Sequence, residues 1–221
     1  MKALQTRYHL GKKGFQLFFG TVSIDSEEID WHFVFKSWHT ILQDYVNILS
    51  DEKDLPWNYN ERPQIGFFAA AIWRLGGAAL EEWRTIKRDA DSVEGHGRCD
   101  LFARLPGVRP DLHMEAKSEM ARLDGNACVD VEKSKRFLQS ATRDAEALTY
   151  AAKGEKVAIA FVCLERGEAP SVAGLHRKLV ELRPEAFDAS AISWACLSDA
   201  DLENSCDSWR RIGLLVLVKR F

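Results

Sequence analysis

The spacing of hydrophobic and polar positions changes several times along the 221 residues, and each spacing predicts an element. Residues Phe15 to Ile24 are dense in aromatic and β-branched side chains, as in a strand, with part of the first ten residues as its partner. From Trp31 onward, Phe35, Trp38, Ile41, Leu42, Tyr45 and Leu49 recur at three- and four-residue steps, which is one face of a helix. Asp25 or Ser26 would cap it, Glu27 and Glu28 suit its dipole, and a helix of about 24 residues should end before Pro56. The aromatic stripe is read as core rather than as a base-stacking surface, because a packed helix needs such a stripe.

A second helix opens at Asn60, a good cap, with Pro63 in the first turn where an amide has no helical partner to lose. Its body, Gln64 to Leu75, is apolar nearly all round and therefore buried, and Gly76-Gly77 ends it. Ala79 to Lys87 reads as a strand, Asp89 to Gly97 as a polar, glycine-bearing loop with an exposed His96, and Ser118 to Gly125 as another loop. Val129 to Ala152 reads as a long helix, and Val157 to Cys163 as a strand apolar on both faces, hence parallel and interior. A short helix, Leu175 to Leu182, and two strands, Ala191–Leu197 and Arg211–Val218, complete the chain.

The chemistry concentrates in one hairpin. Gly97 to Leu105 and Leu112 to Lys117 alternate apolar and polar residues around the turn Pro106 to Asp111. If Leu105 pairs with Leu112, Phe102 faces Glu115 and Asp100 faces Lys117; a slip of two residues sets Asp100 opposite Glu115 instead. In either register two carboxylates and an ammonium converge. Two acids that close repel unless a cation lies between them, and a hard divalent ion with carboxylate and water ligands does that. Asp111 is a decoy, roughly 13 Å from Glu115 along the strand at about 3.3 Å per residue.

A strand carrying Glu115-Ala116-Lys117, after a hairpin strand with Asp100 following Gly97-Arg98, resembles the PD-(D/E)XK nuclease superfamily. The proline of that name is replaced by Cys99. The resemblance implies an α/β fold: a restriction-endonuclease-like core with a central mixed β-sheet flanked by helices over residues 61–221. Residues 1–60 would form an N-terminal extension, a strand and a long helix, packed on that core. It implies metal-dependent hydrolysis of phosphodiester bonds, with Asp100, Glu115 and Lys117 catalytic and Mg²⁺ or Mn²⁺ held by Asp100, Glu115 and Glu61. Glu82 and Gln139 are further candidates, Gln139 because some exonuclease-like relatives carry a glutamine on the corresponding helix. Nucleic acid, DNA before RNA, is the implied partner, and a homodimer is compatible with it. A catalytically silent nucleic-acid- or protein-binding module of the same fold is the alternative.

Composition narrows this further. At net charge −3, with 30 basic and 33 acidic residues, no global positive field exists, so nucleic acid requires a local basic patch. Lys133, Lys135, Arg136 and Arg143 on the long helix could supply one, but Glu132, Asp144 and Glu146 alternate with them and could equally make a salt-bridged surface. Five cysteines, none in a Cys-Xaa-Xaa-Cys pair, point to reduced thiols in a cytoplasmic chain rather than to zinc or a disulfide framework. No signal peptide or membrane span is expected. A glycine-rich phosphate loop, a nucleophile elbow and a Cys-His pair are all missing, which disfavours a small-molecule α/β enzyme.

Overall fold

The computed structural model describes residues 2–7, 17–24, 29–49, 54–88, 93–123, 128–149, 154–166, 175–197 and 211–221. Its strands are β1 (Lys2–Arg7), β2 (Leu17–Ser23), β3 (Ala78–Arg88), β4 (Glu94–Arg104), β5 (Asp111–Arg122), β6 (Gly154–Glu165), β7 (Ala191–Leu197) and β8 (Arg211–Arg220). All eight join one mixed sheet in the order β1-β2-β7-β8-β6-β5-β4-β3. Only β5 and β6 are parallel, from Asp111↔Gly154 to Arg122↔Glu165. The helices are α1 (Trp31–Ile48), α2 (Glu61–Arg74), α3 (Val131–Glu146), which crosses from β5 to β6, and α4 (Leu175–Glu181).

The sheet separates two helical layers. Phe68 of α2 meets Phe161 of β6 edge-on at 6.5 Å, and Phe161 shares its side of the sheet with its ladder partner Ser118. Lys117, one residue earlier and so on the other side, meets α3. α1 packs on α2, with Ser37 Oγ donating to Ala71 O at 2.8 Å. Trp31, Phe35 and Trp38 are fully buried between α1 and the sheet and α2, so the aromatic stripe is core. β6, β7 and β8 are buried nearly throughout because helices or other elements cover both faces. Within this core, Ser193 Oγ donates to Gly20 O at 3.0 Å and lies 2.7 Å from His39 Nε2, so burial, which pushes His39 down to about 3, leaves a neutral ring with a hydrogen bond.

Several boundaries differ from the sequence reading. α1 begins at Trp31 behind Asp30, whose carboxylate accepts from Phe33 N at 3.3 Å, and spans 18 residues; Asp25 and Ser26 lie outside the described residues. Ser118 to Arg122 is strand, not loop, because β6 offers ladder partners through Glu165. Likewise Glu94 to Gly97 is strand, paired with Thr85 to Arg88. In both places the pairing of a neighbouring strand overrides polar, loop-like composition. α3 is shorter than the pattern suggests, capped by Asp130, whose carboxylate accepts from Lys133 N at 2.8 Å.

Candidate functional site

The site forms where β4 leaves β5. The two strands pair only at Leu101↔Met114, Phe102↔His113 and Ala103↔Leu112, so the slipped register holds and Asp100 falls opposite Glu115, not Lys117. Past that point Asp100 Oδ2 accepts the Ala116 amide at 2.7 Å, taking over a hydrogen bond that a continued ladder would have made. On its other side β4 pairs with β3 at Glu81↔Leu101 and again at Trp83↔Cys99. Glu82, between these pairs, has φ 53°, a left-handed conformation that costs a non-glycine residue about 1–2 kcal/mol. Asp100 is therefore held at a break in both ladders.

Glu115 is 2% exposed, and its Oε1 lies 2.7 Å from Lys87 Nζ. Burial first, then the Asp100 charge, pushes its carboxyl up to about 8, while Lys87 pulls it back. Glu61, the first residue of α2, is raised in the same way, by burial and then by Asp100, and is pulled back by Lys117 and by the Ser118 amide that it accepts. Lys117 Nζ sits 2.6 Å from Asp144 Oδ2 of α3. Burial works against the Lys117 charge, but the hydrogen bond that its ammonium donates to Asp144 and the charges of Asp144, Glu61 and Asp100 outweigh it, so the Lys117 proton is held more firmly than usual. Asp100 thus acts on Glu115, Glu61 and Lys117, and Glu61 and Lys117 act on each other.

Two members were not singled out as site residues in the sequence. Lys87 reaches Glu115 by lying across β4 at Gly97, where a Cβ would stand 2.9 Å from Lys87 Cγ; that glycine is the only trace of it in the chain. Asp144 reads in sequence as one more charge on an amphipathic helix, and only the packing of α3 on β5 aims it at Lys117. Lys87 and Asp144 also line a cleft of ≈ 390 Å³ with Arg88, His96 and Gly97.

The remaining candidates lie elsewhere. Glu82 is exposed and pairs with Arg62 at 3.2 Å and Arg98 at 3.5 Å. Gln139 points to solvent, since the buried residues Ser134, Leu138, Ala141 and Ala145 fix the inner face of α3 and Asp144 its flank toward β5. Asp111 is clamped by Arg104 through two bonds of 2.6 Å, as befits a residue away from the site. His96 is exposed, as expected, but stands on β4.

Asp100, Glu115 and Glu61 offer hard oxygen donors, the set that suits Mg²⁺ or Mn²⁺. Among the described residues no group of three or more His, Cys, Asp or Glu side chains is arranged to hold an ion. Mg²⁺ keeps several waters and takes only one or two carboxylates, and the Asp100 charge adds to burial in raising both the Glu115 and the Glu61 carboxyls. No helix among the described residues is long and apolar enough to cross a membrane. Compared with known proteins, the chain matches no family model, no curated protein and no solved structure.

Proposed function

We propose that this chain is a metal-dependent nuclease of the PD-(D/E)XK type. The observation that carries the reading is Asp100, bonded to the Ala116 amide at 2.7 Å where β4 and β5 part, with Glu115 opposite it and Lys117 on the next turn of the pleat. The element order around it supports the same reading: a helix, three antiparallel strands, a crossover helix and a parallel strand, with the first helix bringing Glu61 to the cluster.

Each residue has a defined task. Asp100 and Glu115 would hold the ion, Glu61 directly or through water, and the ion when bound supplies Lewis-acid stabilisation of the charge that builds on the phosphate. Lys117, kept protonated by Asp144 and the carboxylates, offers a fixed donor to the attacking water or to a phosphate oxygen. Asp144 positions that ammonium. The burial of Glu115 and the partial burial of Asp100 and Glu61 strengthen the interactions of these charges relative to water.

One observation favours the silent binding module: the Lys87 ammonium already sits on Glu115 at 2.7 Å, where the ion would be. Calorimetric titration with Mn²⁺ separates the two readings. The nuclease reading expects binding by the wild type and its loss in folded Asp100→Ala and Glu115→Ala. Equal affinity in all three proteins removes the assigned site.

A further inference from the structure

Glu115 is 2% exposed, and a carboxylate taken that far from water needs its oxygens paired. Its Oε1 has Lys87 Nζ at 2.7 Å, but the approach is not aligned as a hydrogen bond, so this buried oxygen has a charge beside it and no directed donor. A buried ion pair with imperfect geometry adds little to a fold, and replacing such a pair by apolar residues is often neutral or stabilising. The nearer ammonium is turned away: Lys117, two residues along the same face of β5, pairs instead with Asp144 at 2.6 Å. Glu115 is left with a lysine that reaches it from β3, across the whole width of β4.

The backbone of Lys87 is fixed. Ile86 O accepts from Thr149 N at 2.9 Å and Arg88 N donates to Ala147 O at 2.8 Å, which ties this end of β3 to the segment after α3. The side chain is free to move. Its stem lies in the gap that Gly97 leaves, where a Cβ would stand 2.9 Å from Cγ and 3.0 Å from Cδ, and 32% of the side chain is open to solvent. Gly95, its ladder partner, has nothing within 4 Å of where a Cβ would stand. Both glycines line the ≈ 390 Å³ cleft together with Lys87 and Asp144. A four-carbon stem on a fixed backbone can therefore swing from Glu115 into that cleft, where Asp144 supplies acidic character to the wall.

We propose that the Lys87 ammonium is a place-holding cation, which occupies the divalent-ion position on Glu115 in ion-free protein and swings into the cleft when the ion binds. The inference rests on the metal site of the nuclease reading and goes beyond it, by making ion affinity a competition with a residue of this chain. Without the ion, Lys87 keeps Glu115 and Asp100 from facing each other uncompensated. With it in place, ion binding requires a concentration high enough to displace a charge held by the fold itself. The ion carries two charges and a proton one, so the Lys87 charge opposes the ion more strongly than it opposes protonation of the same oxygen.

Calorimetric titration with Mn²⁺ of wild type, Lys87→Met, Lys87→Arg and Gly97→Ala, each checked for folding by circular dichroism, tests this. Lys87→Met should bind Mn²⁺ more tightly than wild type by on the order of ten- to a hundredfold, the range over which groups beside metal ligands change affinity. Lys87→Arg keeps the charge and should bind no more tightly than wild type. Gly97→Ala sets a methyl against the Lys87 stem and, with the charge still present, should shift affinity in the same direction as Lys87→Met. If Lys87→Met does not fold, Gly97→Ala and a crystal structure of wild type grown with Mn²⁺ decide the matter. Lys87 Nζ is expected away from Glu115 in that crystal, and an ion on Asp100 and Glu115 with Lys87 still in contact overturns the proposal. Binding by wild type with equal or weaker affinity in Lys87→Met means that Lys87 supports the site, which overturns the proposal and leaves the metal reading intact. Absence of Mn²⁺ binding in all four proteins removes the metal reading itself, and the competition with it.

Discussion

His39 and Glu115 are both buried and ionisable, and they tie stability to pH in opposite directions. His39 falls from 6.5 to about 3 in the folded state, so its contribution is complete above 6.5 and is lost as pH drops toward about 3. Glu115 rises from 4.5 to about 8, so in ion-free protein its contribution is complete below 4.5 and is lost as pH climbs toward about 8. A tenfold change in proton affinity between the folded and unfolded chain corresponds to about 1.4 kcal/mol, so each group moves stability by several kcal/mol across its window. Urea unfolding of wild type and His39→Gln in EDTA should give a wild type that loses stability from pH 6.5 downward and a variant with a flatter acid limb. Parallel curves would mean that His39 is charged or solvated in the folded chain. Neither effect is legible in the sequence, where His39 is one polar residue among the apolar positions of a helix and only burial by β2 and β7 makes it neutral.

At the scale of elements, period and punctuation in the sequence locate most of the structure, and pairing partners account for what they miss. Gly76, with φ 81°, marks the end of α2 as its sequence suggests, Asn60 holds the N-cap position but makes no side-chain capping bond, and β7 spans Ala191–Leu197, the range its composition suggests. The strand at Ser118 to Arg122 could not be read, because its polar side chains say loop and only the β6 backbone says otherwise. Gly20 makes the same point: its Cβ would stand 2.0 Å from the Trp194 indole, a requirement visible only once β2 lies against β7. α1 gives the clearest test of an element read correctly as core. Trp38 is 0% exposed, so Trp38→Ala should lower unfolding free energy by roughly 3–5 kcal/mol and leave the affinity of the folded protein for nucleic acid unchanged. A stable variant with weakened nucleic-acid binding would make the α1 stripe a binding surface.

In the whole molecule, one sheet runs from β1 to β3, so β1 and β2 share the sheet that holds the acidic cluster. Alternation within a hairpin put Asp100, Glu115 and Lys117 on one face, and Glu61 entered only through the family resemblance, as the acid at the head of the helix before the first core strand. Lys87 and Asp144 were not, since each acts on the cluster from another element through a contact that only the tertiary fold creates. The central claim is that this cluster cleaves phosphodiesters, with Lys117 acting mainly on the transition state. The direct measurement is turnover of labelled single- and double-stranded DNA and RNA with Mg²⁺ or Mn²⁺ by wild type, Asp100→Asn and Lys117→Met. The account predicts cleavage by the wild type, none by Asp100→Asn, and a rate reduced on the order of a hundred- to a thousandfold in Lys117→Met with Mn²⁺ binding retained. Cleavage at equal rates by all three proteins, or by none on any of these substrates, would contradict it.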